Sequence, residues 1–301
     1  MTKKVKEYEK IDRKDAIGFA FSGGGLQAIA HAGAVRALYE LGIRPQFVSG
    51  TSSGSAVAAL VAMGYEYEDL KAFAEANWAK LSDFRPMPIF MDLAALKLNK
   101  KTIKDGLRDG AIFSDVIKAE MDKTGIKGFS DLPINLSICT NDTISTDECI
   151  FTTLDEKLEN EYIQYITDAP LELAVRASMT FPAIYTTCSY KQYNFIDGGS
   201  KDNLPVKILK DMGVGKVLAI GFDIMDYTPT TGIDGMLEVV WRALDLYSIN
   251  STRKSKLMAD YFVDIKNSNT AIFSMDNLDL TIEEGYQCVM AHKDKLLEIF
   301  K

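Results

Sequence analysis

A serine at position 52 lies in a sequence pattern that can produce a nucleophile. Residues 50–54 read Gly-Thr-Ser-Ser-Gly, which is the G-x-S-x-G pattern. The apolar segment 46–50 predicts a strand and the segment 53–63 predicts a helix, and this is the context in which the pattern forms a nucleophile elbow. Gly50 and Gly54 would let the backbone turn sharply, so that the Ser52 hydroxyl stands at the carboxyl edge of a sheet. Read alone, the pentapeptide also fits a helix cap without chemistry.

A run of three glycines can supply backbone donors for an anion. Gly23, Gly24 and Gly25 follow a predicted strand at 16–21 and precede a predicted helix at 26–41. Successive amides at the positive end of a helix form a ready anion site. In an acyl hydrolase that anion is the tetrahedral oxyanion, and each donor aimed at it is worth roughly a hundredfold to a thousandfold in rate. We therefore predict that these glycines form an oxyanion hole.

The same loop also satisfies a dinucleotide-binding fingerprint, because Gly23, Gly25 and Ala28 have the required spacing. That fingerprint requires an acidic residue at the end of the following strand. The predicted strand at 46–50 leads instead into the serine pattern. We therefore expect neither NAD nor FAD, and no other cofactor.

A serine nucleophile needs a base, and Asp197 is the candidate. It ends an apolar segment and is followed by Gly198 and Gly199, which allow a close approach of the backbone. In water an aspartate has a pKa near 3.9 and is a poor base, so partial burial must raise its proton affinity. The alternative interpretation is an Asp-Gly turn that only links two strands.

The order of the predicted elements indicates an α/β fold. Strand, helix, strand and helix between residues 16 and 63 imply a right-handed crossover and a parallel sheet. Further predicted helices are 66–80, 167–178, 234–256 and 282–300, and further predicted strands are 134–140, 148–153, 192–196 and 216–222, of which the first two pair. The Pro- and Met-rich segment 85–91, within a region at 85–110, is either a lid or a packed surface loop. No repeat or linker divides the chain, so we expect a single domain over 1–301.

The composition excludes several classes of function. Hydrophobic residues make up 47% of the 301 residues and charged residues 25%, as in ordinary globular proteins. A net charge of −8 without a cluster of Lys and Arg argues against nucleic acid as a partner. The scattered cysteines and the two histidines leave few ligands for a metal, so we expect reduced thiols and no metal site; these residues are Cys139, Cys149, Cys188, Cys288, His31 and His292.

The sequence also bears on location. The first ten residues have a basic start without an apolar run behind it, so we expect no secretory signal. The most apolar stretch, 55–63, is too short to span a bilayer. We expect a soluble, cytoplasmic protein that is still able to contact a membrane surface peripherally. The oligomeric state cannot be derived from the sequence.

Taken in chain order, the blocks resemble the patatin-like phospholipase family. They are the three glycines before a helix with His31, the serine pattern at 50–54, Arg176-Ala177-Ser178 with Phe181-Pro182, and Asp197-Gly198-Gly199 before Asn203-Leu204-Pro205. The resemblance covers about residues 15–225 and leaves a C-terminal helical part at about 226–301. It implies a patatin-like, three-layer α/β/α fold around a central, mostly parallel mixed sheet.

The resemblance also implies a mechanism and a substrate class. It implies a Ser52–Asp197 dyad in place of a triad, an oxyanion hole from Gly23 to Gly25, and no requirement for calcium. The implied substrates are lipid acyl esters, cleaved as by a phospholipase A, a lysophospholipase or an esterase.

One departure from the family pattern motivates a second function hypothesis. The family usually has Arg or Lys two positions after the third glycine and then Gly, whereas this chain has Gln27 and Ala28. The change leaves the three glycines intact but removes a cation that would favour anionic headgroups. The second hypothesis is a lipid-binding protein of the same fold that has lost turnover.

The two histidines lead to different expectations. His31 lies on an apolar predicted helix, which favours a packed, hydrogen-bonded role. His292 follows Ser52 and Asp197 in the chain order of an α/β-hydrolase triad. Its neighbours indicate a helix with the histidine on the charged side, whereas triad histidines usually lie on loops. A Ser52-Asp197-His292 triad esterase is therefore the alternative to the dyad.

Overall fold

The computed structural model describes residues 12–81, 105–153, 161–222, 236–266 and 277–301. Within these residues the strands are β1 (Ile17–Phe21), β2 (Phe47–Thr51), β3 (Gly106–Arg108), β4 (Asn135–Asp142), β5 (Glu148–Thr152), β6 (Ile163–Ile166), β7 (Ala183–Tyr185), β8 (Cys188–Tyr190), β9 (Tyr193–Asp197), β10 (Lys216–Gly221) and β11 (Tyr261–Asp264). The α-helices are α1 (Ala30–Glu40), α2 (Ser53–Ala62), α3 (Tyr67–Leu81), α4 (Ala111–Thr124), α5 (Leu171–Ser178), α6 (Val206–Asp211), α7 (Met236–Met258), α8 (Leu278–Met290) and α9 (Lys293–Phe300). Short 3-10 turns lie at Gly25–Ile29, Phe129–Asp131 and Gly198–Ser200.

The main sheet is mixed and mostly parallel. Its order is β11-β10-β1-β2-β4-β5-β6, with β9 paired to β4 and β8 paired to β9. The strands from β11 to β4 run parallel, whereas β5 and β9 both run antiparallel to β4. Because parallel strands end at the same edge, the turns after β1 and β2 lie side by side at the carboxyl edge.

The two faces of this sheet bury two apolar clusters, which makes three layers. Side chains of successive strand residues point to opposite faces. Phe19 and Phe21 of β1 belong to one cluster, shared with α1, α2 and α8. Ala20, between them, belongs to the other cluster, shared with α6. This arrangement confirms the predicted three-layer α/β/α fold.

The C-terminal helices share the core of the motif-bearing part. A Cβ atom at Gly33 of α1 would lie 1.7 Å from the Ile282 carbonyl oxygen, and one at Gly285 of α8 would lie 1.9 Å from the Ala30 carbonyl oxygen. Glycine is therefore needed at both crossing points, since any side chain would force the two helices apart. Ile282 and Phe300 belong to the same apolar cluster as Phe19.

Several predicted elements differ in extent from the observed ones. The predicted helix at 167–178 begins at Leu171, where Pro170 is the N-cap residue. The predicted helix at 282–300 is two helices, α8 and α9, separated at Ala291 and His292. Helix α4 was not predicted, although Phe113, Ile117 and Met121 have helical spacing and are buried. The segment 85–91 lies outside the described residues.

Among the described residues, no helix is both long enough and apolar enough to cross a membrane.

Candidate active site

Ser52 has a strained backbone at the turn between β2 and α2. It lies between the last residue of β2 and the first residue of α2, with φ 53° and ψ −132°. A positive φ is uncommon outside glycine and marks a conformation that the surrounding structure must hold. Gly50 and Gly54 make the turn possible, because a Cβ atom at Gly50 would lie 2.4 Å from the Gly54 carbonyl oxygen. The structure therefore has the strand-to-helix elbow that the sequence pattern predicts.

Hydrogen bonds on both sides of Ser52 hold this conformation. The Ser52 amide donates to Ser178 Oγ at 2.9 Å, and Ser178 Oγ in turn donates to the Cys139 carbonyl at 2.6 Å. On the other side, the amide and the hydroxyl of Ser55 both donate to the Ser52 carbonyl, at 2.9 and 2.6 Å. These hydrogen bonds use the backbone of Ser52 and not its side chain, so the hydroxyl group remains available at the turn.

The register of the sheet brings Asp197 to this turn. Thr51, the last residue of β2, pairs with Cys139 of β4. Asp197, the last residue of β9, pairs with Thr140, the next residue of β4. Strands β2 and β9 therefore meet end to end along one side of β4. Ser52 follows Thr51 directly, so the two predicted functional side chains become neighbours.

The Asp197 carboxyl group is buried and only partly hydrogen bonded. It is 5% exposed, and its Oδ1 accepts a hydrogen bond from the Gly199 amide at 2.8 Å. Its Oδ2 has no hydrogen-bond partner of ordinary geometry among the described residues. Burial raises the pKa of Asp197 to about 6, and interactions with the Ser52 hydroxyl and the Gly199 amide act in the opposite direction. The carboxylate is therefore a stronger base than an exposed aspartate and still ionises below neutral pH.

The glycine loop lies directly against Ser52. A Cβ atom at Gly23 would lie 2.9 Å from the Ser52 Cβ and 2.5 Å from Asn203 Oδ1. The Gly23 amide donates to the Asn203 carbonyl at 3.1 Å, and the Gly24 amide donates to Ser53 Oγ at 3.2 Å. Gly25 begins the 3-10 turn, so its amide has no acceptor within that turn. Two of the three predicted oxyanion donors are thus already hydrogen bonded within the protein.

Gly198 and Gly199 allow the chain to pass close to the dyad. A Cβ atom at Gly198 would lie 2.5 Å from the Cys139 carbonyl oxygen, and one at Gly199 would lie 3.1 Å from Asp197 Oδ1. The turn of Gly198–Ser200 therefore packs tightly between Asp197 and β4. This close approach is the role that the sequence predicts for the two glycines.

His31 is a buried structural residue behind the glycine loop. Its ring packs against Phe21 and Phe222, with ring centroids 5.3 and 5.1 Å apart. Burial lowers the pKa of His31 to about 4, and the hydrogen bond between Nε2 and the Ser22 carbonyl, 3.0 Å long, opposes that change only in part. A neutral His31 that donates to Ser22 therefore supports the start of the glycine loop.

His292 lies beside the outer strand β11, away from Ser52. Its Nδ1 is 2.8 Å from the Tyr261 hydroxyl. Tyr261 is the first residue of β11, which is separated from β2 by β10 and β1 in the sheet, whereas Ser52 follows the last residue of β2. The structure does not bring together the three members of a Ser52-Asp197-His292 triad.

One cluster among the described residues has the composition of a metal site. The ligand atoms of Cys139, Glu148 and Asp202 all lie within 4.8 Å of one another. Burial raises the pKa of all three groups, most strongly for the Cys139 thiol and the Asp202 carboxyl. A metal needs the thiolate and the carboxylates, so this environment favours the protonated groups instead.

Two residues that support the site had no assigned role in the sequence analysis. The Ser178 hydroxyl accepts a hydrogen bond from the Ser52 amide, and the Asn203 backbone carbonyl accepts one from the Gly23 amide. Both belong to the quoted blocks Arg176-Ala177-Ser178 and Asn203-Leu204-Pro205, so their position within those blocks was the available signal. Their contacts with residues far away in the sequence could not be read from it.

The chain is similar in sequence to known proteins. The family model described as patatin-like phospholipase matches residues 19–210. Lysophospholipase NTE1 of Meyerozyma guilliermondii is 26% identical over 246 residues, which cover 79% of this chain and 15% of that protein. Lysophospholipase NTE1 of Candida albicans is 24% identical over 277 residues, which cover 90% of this chain and 17% of that protein.

Shorter relatives and solved structures are also similar. YqhO of Bacillus subtilis, an uncharacterized protein, is 30% identical over 195 residues, which cover 62% of this chain and 64% of that protein. Among solved structures, VipD from Legionella pneumophila has a TM-score of 0.49 and 15% identity, and the match covers 98% of this chain and 71% of that one. The chain spans only 15% and 17% of the length of the two NTE1 relatives.

Proposed function

The chain belongs to the patatin-like phospholipase family, and we propose that it is a serine acyl hydrolase that cleaves lipid carboxyl esters with Ser52 and Asp197. The observation that carries the proposal is the end-to-end meeting of β2 and β9 on consecutive residues of β4, which makes these two side chains neighbours. The dyad needs no histidine, since neither His31 nor His292 reaches Ser52. The chemistry also needs no cofactor, because the nucleophile and the base are both residues of the chain.

In the first step, the Asp197 carboxylate takes the proton of the Ser52 hydroxyl while Oγ attacks the ester carbonyl carbon. The pKa near 6 suits this role, because the group is ionised at neutral pH and retains proton affinity. When the tetrahedral intermediate collapses, the carbon–oxygen bond to the alcohol breaks and protonated Asp197 returns its proton to the leaving oxygen. The products of this step are the free alcohol and an acyl ester of Ser52.

Water completes the reaction at the same two residues. Asp197 takes a proton from a water molecule, the resulting hydroxide attacks the acyl carbon, and the bond to Ser52 Oγ breaks. The proton held by Asp197 then returns to Ser52. One ester and one water are thereby converted into an acid and an alcohol, with the protein unchanged.

The glycine loop is the proposed oxyanion hole for both steps. The Gly25 amide, at the start of the 3-10 turn, is the most directly available donor. The Gly24 amide would have to exchange its hydrogen bond to Ser53 for one to the oxyanion. That exchange replaces a neutral acceptor with a charged one, which favours it when the negative charge develops.

The name lysophospholipase, which the NTE1 relatives have, supports a single-chain glycerolipid as the substrate, and the family description phospholipase extends the substrate class to double-chain glycerolipids. Gln27 stands where the family usually has a cation, so we do not assign headgroup recognition to the glycine loop. Cytoplasmic location stays a prediction.

A fluorophosphonate probe tests the nucleophile directly. We expect the wild-type protein to be labelled once per chain at Ser52 and to hydrolyse a p-nitrophenyl ester, and Ser52→Ala to lose both. His292→Ala is the matched control and should retain most of the activity, since His292 is bonded to Tyr261 of β11, which β10 and β1 separate from β2. Hydrolysis that survives in Ser52→Ala would refute the proposal.

The Gly23 and Gly24 amides already donate hydrogen bonds within the protein. Because they are then not free to bind an oxyanion, this observation favours one competing function, a lipid-binding protein without turnover. The same probe separates the two functions. An intact, folded protein that binds lipid but leaves Ser52 unlabelled would be the binding protein.

A further inference from the structure

In its C-terminal half, helix α7 buries polar side chains and exposes apolar ones, the reverse of an ordinary helix of a globular protein. Such a helix buries an apolar stripe and exposes polar residues. In α7 the buried residues include Thr252 and Ser255. Ser255 Oγ donates to Asp202 Oδ1 at 3.3 Å, and Ser248 and Ser251, on the same side, are half-buried. From Ser248 to Ser255 the inner face of α7 is therefore lined by hydroxyl groups.

The outer face of α7 is apolar and open to solvent. Leu246 is 65% exposed and Leu257 is 89% exposed. Val239, Leu246 and Leu257 are separated by about two and three helical turns, so they lie in line along one side of the helix. Tyr247 and Met258 are also exposed, and each lies next to one of these leucines. We call these five residues the apolar face of α7; they are Val239, Leu246, Tyr247, Leu257 and Met258.

Basic residues accompany the apolar face. Arg253 and Lys254 are exposed between Leu246 and Leu257. The sequence 236–258 has four basic and two acidic residues, whereas the whole chain has 34 basic and 42 acidic residues. The net charge of this helix is therefore positive, whereas the net charge of the whole chain is negative.

An exposed apolar face with basic residues beside it is more favourable at a lipid surface than in water. Helices that lie in the interface of a membrane have apolar side chains on one side, with Lys and Arg beside them that can reach the headgroups. Tyrosine is favoured at the same depth because its ring is apolar and its hydroxyl is polar. Anionic headgroups attract exposed Arg and Lys close to the membrane surface. Since α7 is not apolar enough to cross a bilayer, a position on the surface is the arrangement its chemistry allows.

The inner face of α7 also connects this surface to the proposed site. It packs against the Gly198–Ser200 turn that follows Asp197 and holds Asp202 through Ser255. A membrane bound to the outer face would therefore lie one helix diameter from the turn that positions the base.

We propose that the apolar face of α7, together with Arg253 and Lys254, docks this protein on a phospholipid surface that contains anionic headgroups. The proposal deepens the proposed function, because it rests on a lipid substrate that resides in such a surface. Docking itself requires only the outer face of one helix and not the dyad.

The central experiment is co-sedimentation with vesicles of phosphatidylcholine that contain phosphatidylserine. The test variant is the double substitution Leu246→Ser with Leu257→Ser. We expect at least about a tenfold loss of vesicle affinity, because two large apolar side chains no longer enter the interface. Hydrolysis of a water-soluble p-nitrophenyl ester should remain unchanged, which verifies that the variant is folded.

The matched control removes equally exposed apolar side chains from loops outside α7. Ile144 and Tyr162 are 68% and 69% exposed, so the control is Ile144→Ser with Tyr162→Ser, and it should bind vesicles as the wild type does. A second variant, Arg253→Gln with Lys254→Gln, should weaken binding to vesicles with phosphatidylserine and leave binding to pure phosphatidylcholine unchanged.

Two results would overturn the proposal. One is equal vesicle binding by the leucine variant and the wild type. The other is a wild-type dimer that the leucine variant converts to a monomer, which would assign the apolar face to a second copy of the chain. The hydrolase proposal fails separately, because Ser52→Ala should still bind vesicles, and hydrolysis by that variant would refute the dyad while leaving the docking result intact.

Discussion

Asp197 and Asp202 lie five positions apart in the same stretch of chain, and both carboxyl groups are buried. Burial is the largest cause of a raised pKa in both, but the surroundings then differ. Asp197 has the Ser52 hydroxyl and one backbone amide beside it. Asp202 has the Glu148 carboxyl nearby, which raises its pKa further, to well above the ordinary value.

This difference separates a base from a structural acid. Burial and the neighbouring Glu148 carboxyl both raise the pKa of Asp202, because two neighbouring buried carboxyl groups cannot both ionise at low cost. Its polar atoms hold the structure together, since its carbonyl accepts from Thr51 Oγ1 at 2.7 Å and its side chain accepts from Ser255. Asp197 instead keeps one oxygen without a partner among the described residues. Burial therefore raises the proton affinity of both carboxyl groups. Only Asp197 lies beside the Ser52 hydroxyl, from which it could take a proton.

The largest expected contrast between the two is in activity. Asp197→Asn should lower kcat for a p-nitrophenyl ester by about a thousandfold or more, because the amide has the same shape but cannot accept the serine proton. Asp202→Asn is the matched control and should remain within about twofold of wild type, since the Asp202 side chain is bonded to Ser255 and an amide oxygen can still accept that hydrogen bond. The two variants are compared by steady-state kinetics at pH 7. Comparable losses in both would mean that Asp197 has no special role.

A smaller contrast is expected in the pH dependence. The base must be ionised, so kcat/KM should fall as the pH falls through about 6, the pKa of Asp197. The decrease should reach about a hundredfold near pH 4, if the slope is one proton per pH unit. Asp202→Asn should have the same profile as wild type, since the Asp202 side chain is bonded to Ser255 of α7 and has no part in the proposed proton transfer. An apparent pKa near 4, the value of an exposed aspartate, would contradict the buried environment.

The smallest effect is on stability, and its sign is opposite to that on activity. The pKa of Asp197 is about 6 in the folded protein, against an ordinary value of 3.8. The folded state therefore binds more protons between these values, and wild-type stability decreases as the pH rises through this window. At pH 7 the charged group costs about 3 kcal/mol, so Asp197→Asn should be more stable than wild type by up to that amount. The gain should disappear below about pH 4.

Chemical denaturation at pH 7 and at pH 4 measures this difference. Asp202→Asn serves again as the control, and we expect little change in its free energy of unfolding at neutral pH. If Asp197→Asn were less stable than wild type at pH 7, the burial of an ionised Asp197 would no longer be supported.

Local patterns in the sequence were sufficient for the parts of the site that are close together in the chain. The strand at β1, the three glycines, the strand at β2 and the turn at Ser52 form one continuous segment, so periodicity and turn chemistry predict them together. The family resemblance added the three-layer fold and the role of Asp197. The same reasoning did not predict α4, and it joined α8 and α9 into one helix.

Tertiary structure decided what depends on pairing between distant residues. The position of Asp197 beside Ser52 follows from the register of β9 on β4, because a shift of one residue would turn the side chain to the other face of the sheet. The exclusion of His292 follows from the strand order, because β10 and β1 lie between β2, which leads to Ser52, and β11, whose Tyr261 is bonded to His292.

The faces of α7 illustrate the same limit. By itself, the sequence determined that its apolar residues recur at helical spacing, and such spacing normally predicts a buried stripe. Only the packing of Ser255 against Asp202 and of the helix against the Gly198–Ser200 turn turns the hydroxyl side inward and leaves Leu246 and Leu257 exposed. Local propensity specifies which side chains share a face of a helix, whereas contacts with the rest of the chain determine which face is buried.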